Sequence, residues 1–378
     1  MSATEPNQPP GPAEAGEKPQ TSTRDLDDVR APLRTWLASV LPAGAEPELG
    51  GLTTPTSGGM SSETILFDVM WQDGGERRTD SLVARLPPAD DAVPVFPTYD
   101  LERQARIIRL VDERTEIPVP SVRWYEADPS ALGSPFIVME RIDGIAPPDL
   151  MPYNFGSWLS EATPANQERL QRASIGIVAD LHQMRASSDE LAFLELDVPG
   201  DTPLRRHVND LANYYEWVRG DLRIPILERT FAWIEQHWPA HEGDTVVSWG
   251  DSRIGNVLYR DFEPVAVLDW EMAALGPREV DLGWMIFMHT FFEYAAQMSD
   301  LDGMPDFMRR SDAVTTYEQR SGTEPRDLDF YEAYAALRHG IVMARVTLRS
   351  VHFGEAELPA DPDELVMHRS VLEGIITS

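Results

Sequence analysis

Residues 248–270 read SWGDSRIGNVLYRDFEPVAVLDW. Around and within this stretch, 245–248, 257–260 and 264–268 carry the β-branched and alternating apolar residues of short strands. Asp251, Asn256 five residues on and Asp269 thirteen beyond that fall on the loops those strands leave behind. Gly250 permits a tight backbone beside Asp251. Val265-Ala266-Val267-Leu268 has the pattern of a buried strand and delivers Asp269 to its end, a rigid place for a side chain that must be held to tenths of an ångström.

The flanking sequence divides in two. Residues 26–41 have apolar side chains at near-helical spacing and stop at Pro42 and Gly44. A loop over 50–62 holds Gly50, Gly51, Gly58 and Gly59 among hydroxyl residues. Strands are predicted at 64–71 and 77–86, joined by Asp73-Gly74-Gly75, with a helix at 99–113 and further strands at 122–126 and 136–142. After Pro147-Pro148 helices dominate: 167–185, 204–219, 224–237, 279–292, 306–320, 328–349 and 363–376. The expected architecture is α+β and two-lobed, with a sheet lobe over 24–143 and a larger helical lobe over 144–378. Residues 1–23, rich in Pro, Gly, Glu and small polar side chains, form a predicted mobile tail.

Composition removes several function classes. There is no Cys, which excludes disulfides, thiolate catalysis and Cys-ligated zinc. His207, His237 and His241 lack metal-binding spacing, and His182 in ADLHQM reads as a core histidine. The net charge of −31 opposes nucleic acid and anionic membranes and suits a polycationic small molecule. No apolar run approaches the length of a membrane span, and the first residues lack a signal peptide's apolar centre, so a cytoplasmic location is expected.

The residue types of the opening stretch suit phosphoryl transfer from ATP. An alcohol is a poor nucleophile. A carboxylate such as Asp251 can orient it and accept its proton, while an amide oxygen (Asn256) and a second carboxylate (Asp269) can hold magnesium against the phosphates. The segment Ser57-Gly58-Gly59-Met60-Ser61, just before a strand, offers backbone N–H groups and hydroxyls to a triphosphate, without the Gly-Lys-Ser/Thr of a Walker loop.

Taken together, WGDSRIGN, LDWE and the downstream REVDLGW resemble the signature of the aminoglycoside phosphotransferase family, which has a protein-kinase-like fold. The resemblance spans residue 25 or so to the end. It implies Asp251 as catalytic base, Asn256 and Asp269 as magnesium ligands and Asp281 as an acid that braces the catalytic loop. It also implies that Arg85, in LVARL, replaces the lysine that reaches the α- and β-phosphates, with a partner on the following helix. The spacing favours Gln104 for that partner and charge favours Glu102, which is the expected one. Phe136 to Arg141 would link the lobes, with Met139, Glu140 and Arg141 beside adenine. Trp249 stands where the family has His, a departure expected to alter packing rather than chemistry. Glu271 either assists magnesium through water or anchors its loop. Arg253 contacts phosphate or an anionic acceptor, or pairs with a neighbouring carboxylate. The acceptor is expected to be a small hydroxylated molecule. The family's name points to aminoglycosides and antibiotic resistance. The arrangement of LVARLPP, FIVMERIDG and the opening stretch also resembles kinase-like domains fused to acyl-CoA dehydrogenases, which suggests hydroxy acids or hydroxyacyl-CoA. A non-catalytic nucleotide-binding protein is the alternative from another class.

Overall fold

The computed structural model describes residues 24–55, 61–89, 92–149 and 152–377. The segment 1–23 and Ser57, Gly58, Gly59 and Met60 of the glycine-rich loop lie outside the described residues. Asp25 opens α1 (Leu26–Val40) by accepting a hydrogen bond from the Asp27 N–H, and Val29, Leu33, Trp36 and Leu37 turn to one side. There follow β1 (Glu48–Leu49), β2 (Glu63–Asp73), β3 (Glu76–Leu86), α2 (Leu101–Arg114), β4 (Val122–Glu126) and β5 (Phe136–Glu140). The strands make one antiparallel sheet in the order β1-β2-β3-β5-β4. Ile65, Phe67 and Val69 of β2 and Leu82, Ala84 and Leu86 of β3 alternate onto the side covered by α1. On the opposite side Ile137 and Met139 of β5 meet Leu101 and Ala105 of α2.

The second half is mainly helical: α3 (Pro164–Leu181), α4 (Ser188–Leu191), α5 (Pro203–Arg219) and α6 (Pro225–Gln236), then four short strands, then α7 to α10. The strands are β6 (Thr245–Ser248), β7 (Val257–Arg260), β8 (Glu263–Val267) and β9 (Ala274–Pro277). β6 pairs with β9 and β7 with β8, both antiparallel. This nested pairing brings the β6–β7 loop against the β8–β9 loop, and a backbone hydrogen bond from Leu268 N to Asn256 O (2.8 Å) joins them. Beneath lies α7 (Glu279–Met298), buried along most of its length against α9 (Leu328–His352).

Four elements differ from expectation. β1, two residues long, is too short to be read from sequence, and β9 lacks a strand pattern. The helix expected from 306 begins later, as α8 (Arg310–Ser321), because Met308 takes a left-handed conformation (φ 48°) that a right-handed helix excludes. The last helix divides into a 3₁₀ turn at Pro362–Leu365 and α10 (Arg369–Thr377). Among the described residues no helix is long and apolar enough to cross a membrane.

The helical core encloses several histidines. Burial pushes His207, His289 and His368 down to about 4 and His339 well below the usual histidine range. In the unfolded chain each would titrate near the ordinary value of about 6.5. Below that pH the unfolded chain takes up protons that the fold refuses. Stability is therefore fully present above about 6.5 and falls as pH drops towards 4, by up to about 1.4 kcal/mol per pH unit for each group. The melting temperature should decline steeply from pH 7 to pH 5; thermal melts in a pH series at constant ionic strength check this, and a flat profile refutes it.

Candidate active site

β6 ends at Ser248, Trp249 follows, and the chain then reverses at Gly250 with φ 86°. A Cβ on Gly250 would lie 2.2 Å from the Met272 carbonyl oxygen, so only glycine lets the two loops come this close. Asp281, on the first turn of α7, is fully buried and gathers this loop. Its carboxylate accepts from the Ser248 hydroxyl (2.9 Å), the Trp249 N–H (2.8 Å), the Gly250 N–H (2.8 Å) and His182 Nε2 (3.0 Å). Burial works against its charge, but the His182 ring and the Gly250 and Trp249 N–H groups outweigh burial and hold its carboxyl below the usual range.

Asp251 follows, largely buried at 13% side-chain exposure. It accepts from Arg253 Nε (3.1 Å to each oxygen), Asn256 Nδ2 (2.7 Å) and Trp284 Nε1 (2.7 Å). Burial opposes ionisation, yet Arg253, Arg338 and the Asn256 amide outweigh it and keep the carboxyl below its usual range. Because Asn256 spends its amide nitrogen on Asp251, its amide oxygen is the atom left to face a ligand. Arg253 also reaches Asp149, so of its expected roles it fills the pairing one in this state.

Asp269 sits at the end of β8 in a left-handed conformation (φ 58°). Its Oδ1 accepts from Arg85 Nη2 at 2.7 Å, and Glu271 Oε2 accepts from the same nitrogen at 3.1 Å. Burial and the Asp269 charge push the Glu271 carboxyl up, against the pull of Arg85 and of the Ser61 hydroxyl. Arg85 of β3 thus spans from the sheet to the β8–β9 loop. Trp249, in the family's His position, donates its indole N–H to the carbonyls of Leu268 (3.0 Å) and Asp269 (3.1 Å) and so ties one loop to the other.

The expected pairing of Arg85 with Glu102 is not formed. Leu101, Gln104, Ala105 and Ile108 define the buried side of α2, and the helical period leaves Glu102 exposed. Gln104 is buried and takes no part in an ion pair with Arg85, whose partners are Asp269 and Glu271. Met139 is buried and Glu140 exposed. The Glu140 and Arg141 N–H groups are used within the protein, by Ser121 O (3.0 Å) and Ser81 O (2.9 Å). The Arg141 side chain pairs with Asp68.

Beside the β8–β9 loop is a cavity of about 520 Å³. Its walls include Tyr99, Tyr214 and Tyr334, with Glu271 at one side and Arg103 and Arg338 in its lining. Trp284 and Arg338 were missed by sequence reasoning. Trp284 was open to detection, because it stands three residues after Asp281 on one helix and so shares its face. Arg338 gave no local signal; only the packing of α9 on α7 brings it near. Among the described residues no three His, Asp or Glu side chains converge as a metal site by themselves.

A family model described as the phosphotransferase enzyme family matches residues 55–310. The chain is 26% identical over 280 residues to acyl-CoA dehydrogenase family member 10 of Mus musculus, covering 71% of this chain and 24% of that protein. The chain thus spans about a quarter of the length of that relative. Among solved structures it is similar to a putative aminoglycoside phosphotransferase from Ralstonia eutropha JMP134, with TM-score 0.61 and 20% identity over 92% of this chain and 96% of that one. It is also similar to a thermostable mutant of an aminoglycoside phosphotransferase in ternary complex with AMP-PNP and hygromycin B, with TM-score 0.53 and 14% identity over 91% and 97% of the two chains. The α+β, protein-kinase-like fold is common to them.

Proposed function

The chain belongs to the phosphotransferase enzyme family, and from that premise we propose that it moves the terminal phosphoryl group of ATP to a hydroxyl of a small molecule in the cytoplasm. The observation that supports this most is that Asp251 and Asn256 are hydrogen-bonded to each other on one loop, which the Leu268–Asn256 backbone hydrogen bond ties to the loop that carries Asp269. The acceptor oxygen attacks the terminal phosphorus as the bond to the bridging oxygen breaks. ADP leaves, and the hydroxyl proton passes to Asp251. Arg253, Asn256 and Trp284 fix that carboxylate in place. The oxygens of Asn256 and Asp269 are hard donors of the kind magnesium takes together with substrate phosphates. When bound, magnesium would neutralise charge on those phosphates. Arg85, Ser61 and the segment 57–60 are the proposed phosphate contacts, and Met139, Glu140 and Arg141 the strand end beside adenine. The lobes are proposed to divide near 143.

Two acceptor classes are drawn by different observations. A polycationic, aminoglycoside-like molecule suits the charge of −31. A hydroxy acid or its thioester suits the similarity to a protein named for acyl-CoA chemistry and the two guanidinium groups in the cavity lining. The deciding experiment is ADP release by the purified chain with magnesium-ATP across aminoglycosides, macrolides and hydroxy acids, with mass spectrometry of the acceptor. Phosphorylation of one class, abolished by EDTA, is the expected result. Saturable nucleotide binding with no ADP release on any acceptor would overturn the proposal in favour of a non-catalytic nucleotide binder.

A further inference from the structure

The geometry points to Arg338 as the residue that holds an anionic group, a carboxylate in the first instance, on the molecule whose hydroxyl meets Asp251; this rests on the phosphotransferase reading and names its acceptor class. Arg338 is 6% exposed, on the side of α9 that lines the cavity. Among the described residues it forms no ion pair with a carboxylate. Its contacts are Met272 Sδ (2.8 Å) and the face of Trp284, 4.6 Å from the ring centroid. The guanidinium groups beside the two loops do have carboxylates: Arg85 has Asp269 and Glu271, and Arg253 has Asp251 and Asp149. Asp251 and Asp210 act on it only from beyond ion-pair distance; a buried guanidinium with no carboxylate in contact is costly, and this chain of net charge −31 has carboxylates in excess to supply one.

The lining has a charge pattern that depth makes plain. Arg103 also lines the cavity, donates only to the Leu194 and Ala273 carbonyls, and keeps its Nε buried without a partner. Asp210 also lines the cavity; it is solvent-exposed and beyond ion-pair distance of both arginines. Asp100 and Asp197 are exposed at the rim, where water screens them, and Glu271 is engaged by Arg85. Of the four carboxylates in the lining three are thus exposed and one is engaged, while Arg338 is buried.

Trp284 relates this group to the chemistry. Its indole N–H holds Asp251 and its face carries Arg338. The anion and the reacting hydroxyl of an acceptor are thus separated by roughly the span of one indole ring, which fits a hydroxyl a few bonds from a carboxylate. The tyrosines supply walls for an apolar or aromatic body. A guanidinium suits this task because its planar fork donates to both carboxylate oxygens. A polycation would bring ammonium groups against it.

The test uses the full chain, magnesium-ATP and three matched alcohols: 3-hydroxy-4-phenylbutanoate, its primary amide and 4-amino-1-phenylbutan-2-ol, with alkyl-tailed 3- and 4-hydroxy acids and their amides in parallel. The wild-type kcat/KM is expected to favour acid over amide and amine by about 10- to 100-fold, as a charged hydrogen-bond partner would. In Arg338→Gln the acid-to-amide ratio should collapse towards one, and in Arg338→Lys it should recover in part. A wild-type ratio near one, a preference for the amine, or an unchanged ratio in folded Arg338→Gln overturns the inference while leaving phosphoryl transfer intact. If Arg338→Gln does not fold, the wild-type ratio decides alone. If no alcohol is phosphorylated, the transfer reading fails, and tryptophan fluorescence decides the site: saturable quenching by acid but not amide supports it, and equal or absent quenching overturns it.

Discussion

Replacing Asp251 with Asn is expected to lower kcat for phosphoryl transfer by about a thousandfold, with the KM for ATP little changed. The substitution keeps the size of the side chain and one acceptor oxygen. It removes the group that takes the proton, and it sets an NH₂ against donors from Arg253, Asn256 or Trp284 that now converge on two oxygens. Because the carboxyl is held below its usual range, it is ionised and ready at neutral pH, and no amide can substitute for that. The rate should be measured by coupled ADP release on the acceptor found in the screen, with circular dichroism to establish that the variant is folded. A folded Asp251→Asn protein that retains the wild-type rate would remove this residue from the mechanism.

The second large effect is expected at Asp281. Asp281→Ala strands the Ser248 hydroxyl, two backbone N–H groups and His182 without an acceptor in a site closed to water. Breaking a buried charged network of this kind costs about 3–5 kcal/mol, and donors left unmade add to the loss. The melting temperature should fall by several degrees, and activity should fall further than stability explains, since the same bonds set the position of Asp251. Thermal melts paired with kcat at a temperature where the variant remains folded separate the two. A variant that matches wild type in both would show that the loop holds its shape without this anchor.

Sequence legibility followed the range of the physics. Strands β6 to β8 and the loops they leave were readable because β-branched runs, a required glycine and polar loop residues agree locally. β9 was not, since Ala274-Leu275-Gly276-Pro277 has no strand pattern and pairs only because β6 is there to receive it. Glu102 was chosen as the partner of Arg85 on charge. The helical phase of α2, already visible in Leu101, Ala105 and Ile108, would have rejected it. The actual partners lie 184 and 186 residues away, a distance no local rule spans. Asp149 reaches Arg253 over a similar gulf.

Asp269 is already engaged by Arg85, and Asp251 by Arg253. On the proposed assignments, a cation claiming Asp269 must evict a guanidinium, and phosphates claiming that guanidinium must vacate a carboxylate. Each newcomer undoes the arrangement that excludes the other, so metal and nucleotide should enter as a joint exchange, each raising the affinity of the other by the same factor. Such a cleft admits the loaded nucleotide and turns away either component arriving by itself.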